Sequence, residues 1–329
     1  MPQRPANLPS SMMPAEEFRP GEIWRDLDGK PIQAHGGGVL FHEGTYYWYG
    51  ENKDGPTKPG GCGARVDVIG VSCYSSTDLL HWRNEGVVLP AVADDKTHDL
   101  HPSKVVERPK VLYNARTRKF VMWMHIDSVD YAAAMAGVAI ADAPTGPFTY
   151  LEGVRALGGD SRDQTVFQDD DGTAYRIYSS EGNATTRITR LSDDYLHHTE
   201  HSVRVFVGRY MEAAAMVKHG GRYWFIASGC SGWAPNAARC AVADQVMGPW
   251  QELGNPCEGK DADTTFGGQS TFLLPVAGKP GAVILLLDRW KPTDLQDSRY
   301  AWLPLAWRED GSPRVDWRDA WDLTVFDRT

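Results

Sequence analysis

The chain has no apolar run near the roughly 18 to 20 residues that a membrane-spanning helix needs, and no long stretch with a 3.6-residue apolar period. Its first twenty residues hold Arg4 and several prolines but no apolar block, so no secretion signal is visible. A cytoplasmic chain and the mature form of an exported one fit that equally. Positive charge is in deficit: 34 Lys and Arg against 43 Asp and Glu give a formal charge of −9 over 329 residues. Nucleic acid or an anionic membrane would select the opposite sign, so neither is expected as a partner. Cysteine is scarce as well. Cys62, Cys73, Cys230, Cys240 and Cys257 are odd in number and form no CxxC pair, which supports neither a disulfide framework nor a thiolate zinc site. The ten histidines show no HExxH spacing, and the Asp-Asp-Asp-Gly run at 169–172 lacks the spaced ligands of a calcium loop.

Aromatic residues and turn formers are plentiful: 12 Trp, 13 Tyr and 10 Phe stand among 33 Gly and 21 Pro. That mixture predicts an all-β chain of short strands. One unit, an apolar strand, a polar turn and a second aromatic or β-branched strand, recurs five times. Its copies are GVLFHEGTYYWYG (38–50), KVLYNARTRKFVMWMH (110–125), TVFQDDDGTAYRIYSS (165–180), AMVKHGGRYWFIASG (215–229) and TFLLPVAGKPGAVILLLDRW (271–290). Each is followed by a second strand pair, and two of those share the pattern ADAPTGPF and ADQVMGPW. Five four-stranded antiparallel units predict a five-bladed β-propeller around a central funnel. A large β-sandwich with coincidental hairpins is the competing architecture. Segments 53–66 and 91–105 are expected to be rim loops.

Aligned on the apolar residue that opens each hairpin, the copies place His35, Glu107, Asp163, Glu212 and Gln269 four residues upstream. In a propeller the first strand of each blade lines the axis, so these five side chains should share one level of the funnel. Carboxyl groups crowded in a partly dry channel raise one another's pKa, which lets one remain a proton donor near neutrality. Such a ring can also simply bind water and cap strands. Carboxylates on an aromatic-rich scaffold suggest glycoside hydrolysis, which needs an acid at the leaving oxygen and a second group across the sugar ring. Trp48, Tyr49, Trp123 and Trp233 are candidate sugar-stacking platforms. Taken singly, the first three suit a core better, whereas Trp233 stands in the Gly/Ser/Pro loop SGCSGWAPN.

Through HGGGVLFHEGTYYWYGENK (35–53), ERPKVLYN (107–114), SRDQTVFQ (161–168), MEAAAM (211–216), SGCSGWAPNAA (228–238) and GGQSTFLLP (267–275), the chain resembles glycoside hydrolase family 43. More narrowly, it resembles that family's exo-β-1,3-galactanases (galactan 1,3-β-galactosidases). The resemblance runs over residues 30–326, a single propeller catalytic domain after an N-terminal extension and lead-in at 1–29. It implies inverting hydrolysis from a non-reducing chain end, with Glu212 as general acid and Asp163 raising its pKa. The Asp base usual in the family is missing, because His35-Gly36 stands where blade one opens. The resemblance gives Gln269 the task of holding the nucleophilic water as an imidic acid, with Glu107, a substrate-recognising residue, as the other candidate base. It implies sugar contacts from Glu51, Ser231 and Trp233, and less directly from Glu181 and Asn183; His35, by its place in the ring, and Tyr49, as an aromatic face, are further candidate substrate contacts. It leaves room for a structural calcium ion in the channel, although the chemistry requires no metal or cofactor. The expected partner is an oligo- or polysaccharide, and the expected state a monomer. An α-L-arabinofuranosidase, β-xylosidase or galactofuranosidase on the same fold, or a carbohydrate-binding propeller without catalysis, are the alternatives.

Overall fold

A computed structural model describes residues 16–60 and 63–328, so Cys62 and the first fifteen residues of the lead-in lie outside it. Blade one comprises β1 (His35–His42), β2 (Thr45–Glu51), β3 (Gly70–Ser76) and β4 (Arg83–Pro90). Blade two holds β5 (Val105–Asn114), β6 (Lys119–Asp127), β7 (Met135–Ala141) and β8 (Thr149–Val154). Blade three follows with β9 (Gln164–Gln168), β10 (Ala174–Ser180), β11 (Thr185–Leu191) and β12 (His198–Val205). Blade four has β13 (Met211–His219), β14 (Arg222–Gly229), β15 (Arg239–Ala243) and β16 (Gln251–Gly254). Blade five begins with the two-residue β17 (Cys257–Glu258), which the repeat pattern did not reveal. Its main strands are β18 (Gln269–Pro275), β19 (Val283–Arg289), β20 (Arg299–Trp307) and β21 (Pro313–Asp316). Within each blade consecutive strands pair antiparallel, and β17 adds a parallel edge beside β21. The innermost strands neighbour one another in the closed order β1, β5, β9, β13, β18 and back to β1. The chain is a five-bladed β-propeller.

Hairpin chemistry follows the sequence. Glu43-Gly44 and Gly220-Gly221 both take positive φ, the geometry of a two-residue turn that matches strand twist. The ADAPTGPF and ADQVMGPW copies share a cis bond at Gly146-Pro147 and Gly248-Pro249. Apolar clusters fill the spaces between blades. The cluster joining blades five and one packs Trp48, Trp82 and Trp302 with Trp24 and Tyr300 in edge-on and tilted contacts. Phe18 seals the ring from the lead-in: its ring lies 4.2 Å from that of Trp321, and the two residues exchange backbone hydrogen bonds of 2.7 and 3.0 Å.

A feature absent from the sequence pattern shapes the funnel. Pairing slips between His35 and Gly38 in β1, Glu107 and Lys110 in β5, and Glu212 and Ala215 in β13. In each case the residue after the ring position is left-handed: Gly36 at φ +58°, Arg108 at +52° and Ala213 at +56°. A bulge of this kind re-aims the neighbouring side chain. Below it the axis is plugged. Lys110, buried, donates to the Gly36 carbonyl at 2.7 Å, and Thr271 donates to the Gly37 carbonyl at 2.7 Å. Gln164 spans from the Arg108 carbonyl to the Trp123 carbonyl.

Candidate active site

The five ring positions open their inner strands at one level, and four pair with the end of the next strand: His35 with Glu51, Glu107 with His125, Glu212 with Ser228, and Gln269 with Asp288. Asp163 accepts the Ser179 amide through its carbonyl at 2.9 Å and so takes the matching place in blade three. The ring is therefore doubled by an outer set of partners that alignment of first strands does not reveal.

Around Glu212 the contacts are tight. Its Oε1 accepts the Gln269 Nε2 at 3.1 Å, and Asp163 Oδ2 accepts the backbone amide of the adjacent Ala213 at 3.1 Å. Burial, and then the charge of Asp163, push the Glu212 carboxyl up to about 7. Arg108 ties the group together, with Nη2 3.0 Å from Asp163 Oδ2 and 2.7 Å from Gln269 Oε1. The Gln269 amide is fully engaged: its oxygen takes Arg108 and Trp290 Nε1 (3.0 Å), and its nitrogen gives to Glu212 and Ser228 Oγ (3.0 Å). Arg108 and Trp290 Nε1 carry no acceptor, so the oxygen accepts from both.

Across the ring a second network surrounds Glu107. Tyr131 donates to its Oε1 at 2.7 Å, and His125 Nδ1 lies 3.3 Å from Oε2, an ion-pair contact without hydrogen-bond alignment. His125 Nε2 faces Asp127 Oδ2 at 2.8 Å. Burial opposes the imidazolium, but two flanking carboxylates overcome it and raise His125 to about 9. Burial likewise opposes the Glu107 charge, and His125, Lys53 and Tyr131 more than offset it, bringing Glu107 down to about 2. Beside it the buried Glu51 pairs with Lys53 Nζ at 2.7 Å and accepts the Arg108 amide at 3.0 Å. Burial raises the Glu51 carboxyl against the pull of Lys53. Glu107, His125 and Asp163 bring ligand atoms within 4.8 Å of one another. One imidazole and two carboxylates fall short of the six to eight oxygens that calcium asks for.

The structure sorts the other expected sugar contacts. His35 is buried, with Nδ1 3.1 Å from Asp288 Oδ1 and its ring stacked 4.8 Å from Tyr300. Tyr49 is buried too and spends its hydroxyl on the Pro144 carbonyl at 2.6 Å. Both are withdrawn from the sugar-binding set, and Trp48 and Trp123 are core. The missing blade-one Asp also has a steric reason. A Cβ at Gly36 would collide with Glu51 Oε1. Trp233 lies at the mouth, edge-on to Trp290 at 5.4 Å, and lines the clefts holding Glu51 and Glu107 on one side and Gln269 on the other. Ser231 is exposed beside it and donates to the Ala234 carbonyl at 2.6 Å. Glu181 is held by Arg204 in a two-pronged pair at 2.6 Å, and Asn183 keeps a buried Oδ1 without a partner. A separate cavity of about 430 Å³, lined by Trp24, Gln33, Asn52 and Tyr300, contains none of the ring carboxylates.

Comparison with known sequences decides the family. The profile of glycosyl hydrolases family 43 matches residues 38–313. The chain belongs to family 43. It is a glycoside hydrolase. Among solved family 43 structures it is similar to a β-1,3-galactosidase bound to galactodeoxynojirimycin, 41% identical over 93% of this chain and 100% of that one, with a TM-score of 0.86. It is also similar to an exo-β-1,3-galactanase of Phanerochaete chrysosporium carrying β-1,3-galactotriose, 38% identical over 95% of this chain and 70% of that one, TM-score 0.85. A curated relative, the arabinoxylan arabinofuranohydrolase of Paenibacillus polymyxa, is 26% identical over 76% of this chain, which spans 42% of that protein's length.

Sequence reasoning missed Arg108, Lys53, His125, Tyr131, Ser228 and Trp290 in this family 43 site. Arg108 was in plain view inside ERPKV, where a charged residue next to a ring position deserved the same scrutiny as the ring itself. His125 and Ser228 follow from counting back along each hairpin from its turn, because antiparallel pairing fixes which residue ends opposite which. Tyr131 and Trp290 reach the site from loops and leave no periodic signal.

Proposed function

We propose that the chain is an exo-acting, inverting hydrolase that releases galactose from the non-reducing end of β-1,3-galactan. The observation that carries the reading is the setting of Glu212, which meets Gln269 and sits beside Asp163 at the opening of the inner strands, where burial and the Asp163 charge raise its carboxyl to about 7. At neutral pH a large fraction of such groups keeps the proton that a leaving sugar oxygen needs. Asp163 raises this acid and, through the Ala213 amide, fixes the turn that presents it. Gln269 orients the carboxyl by donating to Glu212 Oε1. Exo action is favoured by the likeness to the exo-β-1,3-galactanase. Trp233 offers an aromatic face at the entrance, with Ser231 beside it, and the ionised Glu107 is suited to accept a sugar hydroxyl. Galactan is favoured as substrate by the likeness to the β-1,3-galactosidase and the exo-β-1,3-galactanase.

Proton NMR of β-1,3-galactobiose during hydrolysis tests the whole reading. Galactose appearing first as the α anomer supports it, and β-galactose first, or no galactose, refutes it. A panel of aryl glycosides separates arabinofuranoside, xyloside and galactofuranoside activity.

A further inference from the structure

The cavity lined by Trp24, Gln33, Asn52 and Tyr300 takes no part in the chemistry of the ring. It measures about 430 Å³, within the roughly 300–1,000 Å³ of small-ligand pockets, and lies between blades one and five. The outer strands of blade one, β3 and β4, form one side with Ser72, Tyr74 and Val87. The loop between β19 and β20 forms the other with Asp294, Gln296 and Ser298, and the lead-in closes it with Ile23, Trp24 and Gln33. Only a thin wall stands between it and the funnel. The Tyr300 hydroxyl lies 3.3 Å from His35 Nε2, and Asn52 follows Glu51 directly in the chain.

Two polar groups of this lining have hydrogen-bonding capacity to spare among the described residues. Gln33, only 6% exposed, gives its Nε2 to the Gln296 carbonyl at 3.0 Å and keeps a buried Oε1 with no partner. The Tyr74 hydroxyl accepts the Gln33 backbone amide at 3.1 Å and has no acceptor for its own proton. Charges in the lining are spoken for: Lys291 and Arg299 neutralise Asp297, and Asp54 accepts the Gln296 amide. Glu22, Asp54, Asp294 and Asp297 stand against Lys30 and Arg299, a balance that turns an anion away. An open acceptor and an open donor in a wall of neutral amides fit a hydroxyl group, which both gives and takes a hydrogen bond. Trp24 is half-buried, and Ile23 and Val87 are 44% and 38% exposed, so the rim adds apolar surface to match the CH faces of a sugar ring. Water gains little against such groups, and a ligand bearing both hydroxyl and apolar faces displaces it favourably.

We propose that the cavity between blades one and five is an accessory saccharide site, which holds a stretch of the same polysaccharide whose end enters the funnel. The identity of that polysaccharide rests on the galactan reading above. Two sites on one face of the enzyme that engage one polymer convert the second binding event into an intramolecular one, which raises apparent affinity without a new contact at the ring. A disaccharide bound in the funnel gains nothing from it.

Affinity electrophoresis of the full chain carrying Glu212→Gln, in gels cast with β-1,3-galactan or with arabinan, reads binding without turnover. Two further substitutions address the cavity, with folding checked by thermal melting. Val87→Arg lays a long side chain across the opening from an edge strand, where charge is tolerated, and Gln33→Leu removes the open acceptor at nearly constant volume. Each should weaken retardation by galactan about threefold to tenfold, the worth of one net hydrogen bond. With Glu212 intact, Val87→Arg should raise KM on the polymer at unchanged kcat and leave galactobiose kinetics at the parent values. Crystals soaked with β-1,3-galactotriose should hold sugar against Gln33 and Tyr74. Unchanged retardation in both variants, or ordered water only in the soaked cavity, overturns the assignment, and loss of retardation in arabinan gels alone overturns galactan as the occupant. A parent that releases no galactose from galactobiose sinks the functional reading instead, because the gels report on the cavity whatever the enzyme cleaves.

Discussion

Glu212 shows what a single residue's surroundings do to its chemistry. The acid works only when protonated, and its carboxyl sits near 7, so turnover should fall as pH rises through that value. Asp163→Asn removes a negative neighbour and frees the positive Arg108. Both changes favour the ionised acid, so the alkaline limb of the kcat profile should move to lower pH. An unmoved limb would mean that burial alone sets the value. Glu212→Gln should reduce turnover on galactobiose by about 10²–10⁴ and much less on an aryl galactoside whose leaving group needs no proton. Steady-state kinetics on the two substrates checks this. The ring residues themselves were legible from the sequence because each lies at a constant offset from a hairpin. His35 shows where that legibility ends. It occupies the same offset, yet it turns into the wall and meets Asp288 and Tyr300, because orientation depends on tertiary partners that no offset encodes.

Strands were readable and bulges were not. Alternation and turn chemistry marked all five hairpins, whereas the left-handed residues after His35, Glu107 and Glu212 include an arginine and an alanine, which carry no such signature. Gly36 is the exception, and it makes a prediction at this scale. Gly36→Ala would pay the left-handed penalty of about 1–2 kcal/mol and also press on the Glu51 carboxylate. The variant should melt several degrees below the parent in calorimetry, and an unchanged melting temperature would show that the bulge relaxes freely. The loop after β14 is a second element with a testable role. Trp233→Ala should raise KM for galactobiose more than it lowers kcat, since the indole borders the clefts on both sides of the mouth and its Nε1 makes no hydrogen bond to a ring carboxylate.

For the molecule as a whole, ring closure was the part hidden from the sequence. Blade five is completed by its own strands, and among the described residues no terminal strand crosses over to lock blade one. The seam is held instead by aromatic packing and by the Phe18–Trp321 stack, contributed by a lead-in with no repeat character. Phe18→Ala should therefore cost about 3–5 kcal/mol, the usual range for a buried Phe, and lower the unfolding midpoint in denaturant. A loss under 1 kcal/mol would place the strength of the seam in the Trp48–Trp302 cluster alone.

The crowding between residues 36 and 51 couples two positions fifteen apart in the chain. A carboxylate can be supplied from one or the other, but the available volume admits a single supplier. An aspartate at 36 would require the Glu51 carboxylate to withdraw or a smaller residue to stand at 51. A paired exchange, Gly36→Asp with Glu51→Ser, is accordingly the shortest route by which an engineer could move a carboxylate from one strand to the next and ask whether activity follows it.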